Sequence, residues 1–276
     1  MKAVRFRDPE GGVRIGRLEG AAIRDGGLAS PLGFAPTPEA WEALESDDGV
    51  LFPREQVTLL PPVVPRKFMA IGLNYHDHAE ESGAEPPEVP VVFAKWTSSL
   101  VGDGEPIVVP REETRPDYEG EVALVIGERV YRADAESARR AIGGVTVVND
   151  VSGRRAQLET PLRQFTLGKS FDTFSPMGPC IARADGLDLG ALAIRTTVSG
   201  ELMQDSTTAN LIFSAEELVV YLSAGMTLEP GDVIATGTPG GVGDGRKPPR
   251  YLGEGDVVEV TVEGVGTLRN PVTRER

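Results

Sequence analysis

The chain has 276 residues, enough for one large domain or for a small domain joined to a larger one. Its 42 acidic residues against 28 basic ones give a formal net charge of −14, which argues against nucleic acid and anionic membrane surfaces as partners, since both select basic patches. One cysteine, Cys180, excludes an internal disulfide and fits a reducing cytoplasm.

The N-terminus lacks the apolar stretch of a signal peptide and reads as a first strand over residues 3–6, followed by a second over 13–16. A helix is predicted over 38–44. Residues 1–60 therefore form a small N-terminal α+β domain in this reading. Prolines make 60–65 an extended linker into a second domain, 61–276. There, 67–72 has the pattern of a short buried strand, and a helix beginning near Asp77 would bring His78 and Glu81, three apart, onto one face. Such a pair can act as a carboxylate-oriented general base; it can equally be a polar loop with an incidental histidine. His76 is read as locally structural.

Glu119 and Glu121, in Asp117-Tyr118-Glu119-Gly120-Glu121, run into the apolar segment 122–126. On a strand, residues two apart leave the same face. Two like charges there are unfavourable unless a cation sits between them. Asp150 ends a second apolar strand over 145–149 and could supply a third oxygen to a hard divalent ion. A solvated edge strand with scattered acids is the alternative.

Farther along, a helix is predicted over 135–142, stopped by Gly143. Lys169 lies in a polar break between apolar residues. It is either a surface charge or a contact for a substrate carboxylate or enolate oxygen. Lys95, at a strand end, and Arg154 and Gln157, shortly after Asp150, allow the same two readings. A hairpin turns at Ser199-Gly200, and Ser214 to Glu217 form a capping box for a helix through Leu222 with Gly225 as stop. Strands are expected over 232–236 and 256–262. The glycine-rich stretch 236–245 lacks the ending of a phosphate-binding loop, and Pro248-Pro249 blocks the helix such a loop needs, so it reads as a loop covering a pocket. Cys180 reads as a buried filler. Strands and helices do not alternate regularly, so the fold class is α+β, mostly β, a mixed β-sandwich roll.

Five ordered segments together resemble the fumarylacetoacetate hydrolase superfamily, over roughly residues 67–272: residues 71–75 through His78 and Glu81; 117–121; 149–152; Gly168-Lys169-Ser170-Phe171-Asp172; and 231–239. The resemblance implies a homodimer and Mg2+, with Mn2+ or Ca2+ as alternatives, bound by Glu119, Glu121 and Asp150. His78 and Glu81 match a water-activating dyad, Lys169 a catalytic lysine, and Arg154, Gln157 and Thr238 substrate-contacting positions, to which Lys95 is added. Gly153 and Arg155 depart from the family pattern and would place extra positive charge near the site; Gly120 replaces a larger residue, a change expected to affect packing. The implied activity is metal-dependent cleavage of a C–C bond in a 2,4-dioxo acid. Isomerisation of a 2-hydroxy-diene-dioate and decarboxylation of oxaloacetate are alternatives on the same site. A non-catalytic dicarboxylate-binding protein is the rival from another class.

Overall fold

The computed structural model describes residues 1–46, 48–159 and 161–276. The chain is α+β and mostly β, a mixed β-sandwich roll with short helices at its margins. Among the described residues the largest sheet has twelve strands. Its central path runs Lys2–Arg7, Ser175–Arg183, Ile142–Asn149, Gly120–Ile126, Val233–Ala235, Phe68–Gly72 and Val91–Ala94. Val13–Glu19 and Ala22–Leu28 extend it beyond Lys2–Arg7. Because Lys2–Arg7 also pairs with Ser175–Arg183, hydrogen bonding of one sheet runs across residue 60. A second, five-stranded sheet follows the order Glu201–Thr207, Ala193–Val198, Val257–Val262, Gly266–Arg274 and Ile107–Val109.

Side-chain alternation explains how the layers meet. Along Gly120–Ile126, the side chains Val122, Leu124 and Ile126 join Ile194, Val258 and Val260 of the five-stranded sheet in one core. Ala123 and Val125 point the other way, into a second core with Trp41, Phe68, Val148 and Met177. A strand buried on both faces needs apolar residues at every position, which is what 122–126 supplies. Each fully buried valine, leucine or isoleucine contributes about 1.5–3 kcal/mol. Gly120 faces the five-stranded sheet, where an added Cβ would lie 2.2 Å from Thr196 Oγ1 and 2.9 Å from Val260 Cγ1. Its smallness lets the two sheets close.

Local signals place several elements correctly. Ser199 (φ 52°) and Gly200 (φ 84°) both adopt the left-handed conformation of a type I′ hairpin turn. Ser214 and Glu217 form the reciprocal capping box of the helix Ala215–Ser223. The helix Ala135–Ala141 is shorter than predicted, and Gly143 is not its stop. Ile142 is already extended and pairs with Ile126, because the strand Ile142–Asn149 begins there. The strand Ser175–Arg183 escapes the pattern search because Pro176, Gly178 and Pro179 interrupt it, yet it is central to the sheet. Among the described residues no helix is long and apolar enough to cross a membrane.

Candidate metal centre and cavity

The acidic triad follows from strand period and register. Glu119 and Glu121 share parity with Ala123 and so leave the face opposite Gly120. Across the ladder Glu121 pairs with Val148, and Asp150 lies two residues further on with the same parity. The Asp150 N–H donates to the Glu119 carbonyl at 2.8 Å, closing the end of the pair. One carboxylate oxygen from each of Glu119, Glu121 and Asp150 lies within 4.8 Å of the others, and all three residues are buried. Bonds of about 2.1–2.5 Å from a hard cation to oxygen span a comparable shell.

Buried cations partly answer this negative charge. Lys169 Nζ donates to Glu119 Oε2 and to Asp150 Oδ2, both at 2.6 Å. Lys95 Nζ pairs with the other oxygen of Asp150 and donates to the carbonyls of Lys169 and Phe174. Arg154 Nη2 lies 2.7 Å from Glu119 Oε1 and 2.8 Å from Asp117 Oδ2. Burial pushes the Glu119 carboxyl up, but Lys169 and Arg154 outweigh it and hold it down at about 2. Glu121 behaves oppositely: burial, then Asp150 and Glu119, raise it well above the ordinary carboxylate range. Its one hydrogen bond among the described residues comes from the Gly237 N–H at 2.9 Å. A buried carboxyl with so little compensation, beside two others, is a fitting ligand for a divalent cation.

A cavity of about 700 Å³ reaches the triad at Glu119. Glu119, Lys169, Arg154, Gln157 and Thr238 line it together with His78 and Glu81. The dyad stands on the helix His76–Ser82, where His78 Nδ1 lies 3.5 Å from Glu81 Oε2. That separation is longer than a good hydrogen bond, and Nδ1 has no other partner among the described residues. The glycine-rich segment covers the cavity as expected, through Val242, Asp244 and Gly245. It is pinned to the dyad helix: Asp77 Oδ1 accepts from the Gly240 N–H at 3.2 Å, and Glu81 accepts from the Gly241 N–H at 3.0 Å. Phe93 and Phe165, with ring centroids 5.8 Å apart, contribute an apolar part of the wall.

The structure thus brings His78, Glu81, Lys169, Arg154, Gln157 and Thr238 to one cavity, with Glu121 and Asp150 immediately behind Glu119. Lys95 is placed differently from the expectation of a substrate contact. It is 2 % exposed, lies off the cavity wall, and the anion it meets is Asp150. Arg155 does not add charge to the site either: it is exposed and lies 3.5 Å from Glu159 Oε2. Gly153 abuts Glu113, whose Oε2 would be 2.6 Å from an added Cβ.

Three supporting residues escaped the sequence reading. Asp117 holds Arg154. Asn149 Oδ1 accepts from the Glu119 N–H at 3.0 Å. Gln204 spans the Gly120 N–H at 3.0 Å and Thr238 Oγ1 at 2.7 Å. Asp117 and Asn149 adjoin the acidic motifs, so proximity was the only available signal; nothing local marks Gln204.

Comparison with known proteins follows the same outline. The family model described as fumarylacetoacetate (FAA) hydrolase, C-terminal, matches residues 67–273. The chain is 41% identical over 243 residues to the mitochondrial oxaloacetate tautomerase fahd2 of Xenopus laevis, covering 87% of this chain and 76% of that protein. It is 37% identical to the human mitochondrial oxaloacetate tautomerase FAHD2A, over 99% of this chain and 91% of that one. Among solved structures, a 5-carboxymethyl-2-hydroxymuconate delta-isomerase from Mycobacterium smegmatis superposes with a TM-score of 0.83 at 36% identity, covering 100% of both chains. A 2-hydroxyhepta-2,4-diene-1,7-dioate isomerase from Mycobacterium marinum gives 0.81 at 34% identity, covering 100% of this chain and 99% of that one.

Proposed function

The chain belongs to the fumarylacetoacetate hydrolase family, and from that premise we propose that it is a divalent-metal-dependent enzyme that interconverts the keto and enol forms of a 2-oxo acid of the oxaloacetate type. The carrying observation is Lys169 Nζ at 2.6 Å from both Glu119 and Asp150, at the wall of a cavity that also contains the His78–Glu81 dyad. The names of the relatives support tautomerisation or isomerisation over other chemistry of the family.

A divalent cation held by Glu119, Glu121 and Asp150, which we take to be Mg2+ with Mn2+ or Ca2+ as alternatives, supplies Lewis acidity to the ketone of a bound 2-oxo acid. The formal charges favour an anionic substrate. Three triad carboxylates face the two ammonium groups of Lys95 and Lys169, while Arg154 is answered by Asp117. A doubly charged ion leaves one positive charge, which a substrate carboxylate neutralises. Two of the three Lys169 protons are engaged by carboxylates. The third is available to the oxygen that becomes anionic as the enolate forms. His78, with Nδ1 toward Glu81, takes the proton from the carbon beside the ketone at Nε2 and delivers it to the enolate oxygen to give the enol; the reverse sequence restores the ketone. Gln157 and Thr238 orient the substrate from the wall.

The same dyad favours a second reading. If His78 removes a proton from water instead, a 2,4-dioxo acid is cleaved between C3 and C4, giving pyruvate or a relative and a carboxylic acid. Measurement of oxaloacetate enol decay and of deuterium exchange at C3, with and without chelator, tests the primary reading. Enolisation that persists in Glu119→Ala or in chelator would rule it out. Release of an acid from an acylpyruvate, without exchange on oxaloacetate, would select hydrolysis. A homodimer and a reducing compartment complete the proposal; the animal relatives named here are mitochondrial.

A further inference from the structure

Resting on that reading and naming its substrate class more narrowly, we propose that Arg163 receives the distal carboxylate of a 2-oxo dicarboxylate. Most of the cavity's charges are already answered. Glu119 meets Lys169 and Arg154. Arg154 is also held by Asp117, and Lys169 by Asp150. On the other walls Asp244 Oδ1 accepts from Arg115 Nη2 and from the Tyr251 hydroxyl, both at 2.6 Å. Glu81 faces His78 and the Gly241 N–H. Arg163 lines the same cavity, is exposed, and has no hydrogen-bond or ion-pair partner among the described residues.

The charge balance at the triad accommodates one substrate carboxylate. A second would be in excess there, and it would face Glu81 and Asp244 unless a further cation received it. Arg163 is an uncommitted guanidinium on that cavity wall, with a planar set of donors suited to a carboxylate. Its position is also constrained. The next residue, Gln164, donates its N–H to the Gln157 carbonyl at 3.0 Å, and at the other end of the segment Lys169 Nζ donates to Glu119 and Asp150, both at 2.6 Å. The segment linking Arg163 to Lys169 is therefore tied at both ends to elements that already line the cavity. On this assignment the substrate carries one carboxylate at the triad end and one at the Arg163 end, with the Phe93–Phe165 wall beside the cavity.

The test uses two ligands that share a chelating oxamate head and cannot enolise. N-oxalylglycine carries a distal carboxylate; N-isobutyloxamate keeps the head and replaces the distal carboxylate by an uncharged isopropyl group of similar shape. Calorimetric titration in Mg2+ should show wild-type protein preferring N-oxalylglycine by about tenfold or more, the scale of one charge-assisted contact. Arg163→Met should erase that preference, and Arg163→Lys should restore part of it. A preference that survives in Arg163→Met, or no preference in wild type, would overturn the assignment. Wild-type protein that shows the preference but no metal-dependent enolisation of oxaloacetate would support Arg163 as the receptor and sink the catalytic reading instead.

Discussion

Asp117 receives Arg154 through Nε at 2.9 Å and Nη2 at 2.8 Å, and it also accepts the N–H groups of Gly243 and Asp244 at 2.7 and 2.9 Å. It is fully buried, so removing it leaves a guanidinium and two loop amides without that acceptor. Asp117→Ala should cost about 3–5 kcal/mol, as expected for breaking a buried pair; an unchanged urea midpoint would contradict this. Lys169 calls for a different substitution. Lys169→Met keeps the length and removes the charge, and should lower the enolisation rate by about 10²–10³-fold, the scale of losing one donor to a developing oxyanion. A loss seen only in KM would show that the lysine merely holds the ground state.

At the scale of elements, the N-terminal hairpin Val13–Glu19/Ala22–Leu28 is stitched by ion pairs. Hydrogen bonds from Arg24 and Arg17 hold the Glu19 carboxyl down at about 2. Burial pushes Asp25 up, but Arg14 and the Gly27 N–H pull it below its ordinary value. Carboxyls depressed in the folded state stabilise it fully above their unfolded values, near 4, and that contribution is lost as pH falls toward 2. The urea midpoint should therefore fall from pH 5 to pH 2, and more steeply in wild type than in Glu19→Gln. Equal slopes would mean the pair contributes nothing. The covering loop makes a second prediction. Gly241 has φ +100°, and an added Cβ would lie 2.1 Å from the Met203 carbonyl oxygen. Gly241→Ala should destabilise by roughly 1–3 kcal/mol and shift the amide that Glu81 accepts, lowering kcat through the dyad. Activity and melting temperature both at wild-type values would refute that coupling.

For the whole molecule, a cation that binds only the folded state must raise its stability. Mg2+ at about one hundred times its dissociation constant should add roughly 2.7 kcal/mol. Glu121→Ala should remove the concentration dependence of the melting temperature. The same shift in wild type and variant would place the ion elsewhere. The triad depends on both sheets: the twelve-stranded sheet aligns the carboxylates, and the five-stranded sheet closes against Gly120 on the opposite face.

The sequence by itself determined what short-range periodicity can carry. The two-residue repeat puts Glu119 and Glu121 on one face, the three-residue spacing puts His78 beside Glu81, and Ser199-Gly200 and Ser214 set a turn and a cap. Asp150 was identified because it ends an apolar strand, although its register against Glu121 is a fact of pairing. Tertiary structure alone decided which charges are answered. Lys95 looked like a substrate contact and became the counter-ion of Asp150, 55 residues away. Arg154 is committed to Asp117, 37 residues away, while Arg163 lines the cavity without a described partner. Composition and spacing record how many charges a chain has; only packing brings distant ones to within 3 Å, and electrostatic attraction in a buried site depends on that distance and on the exclusion of water.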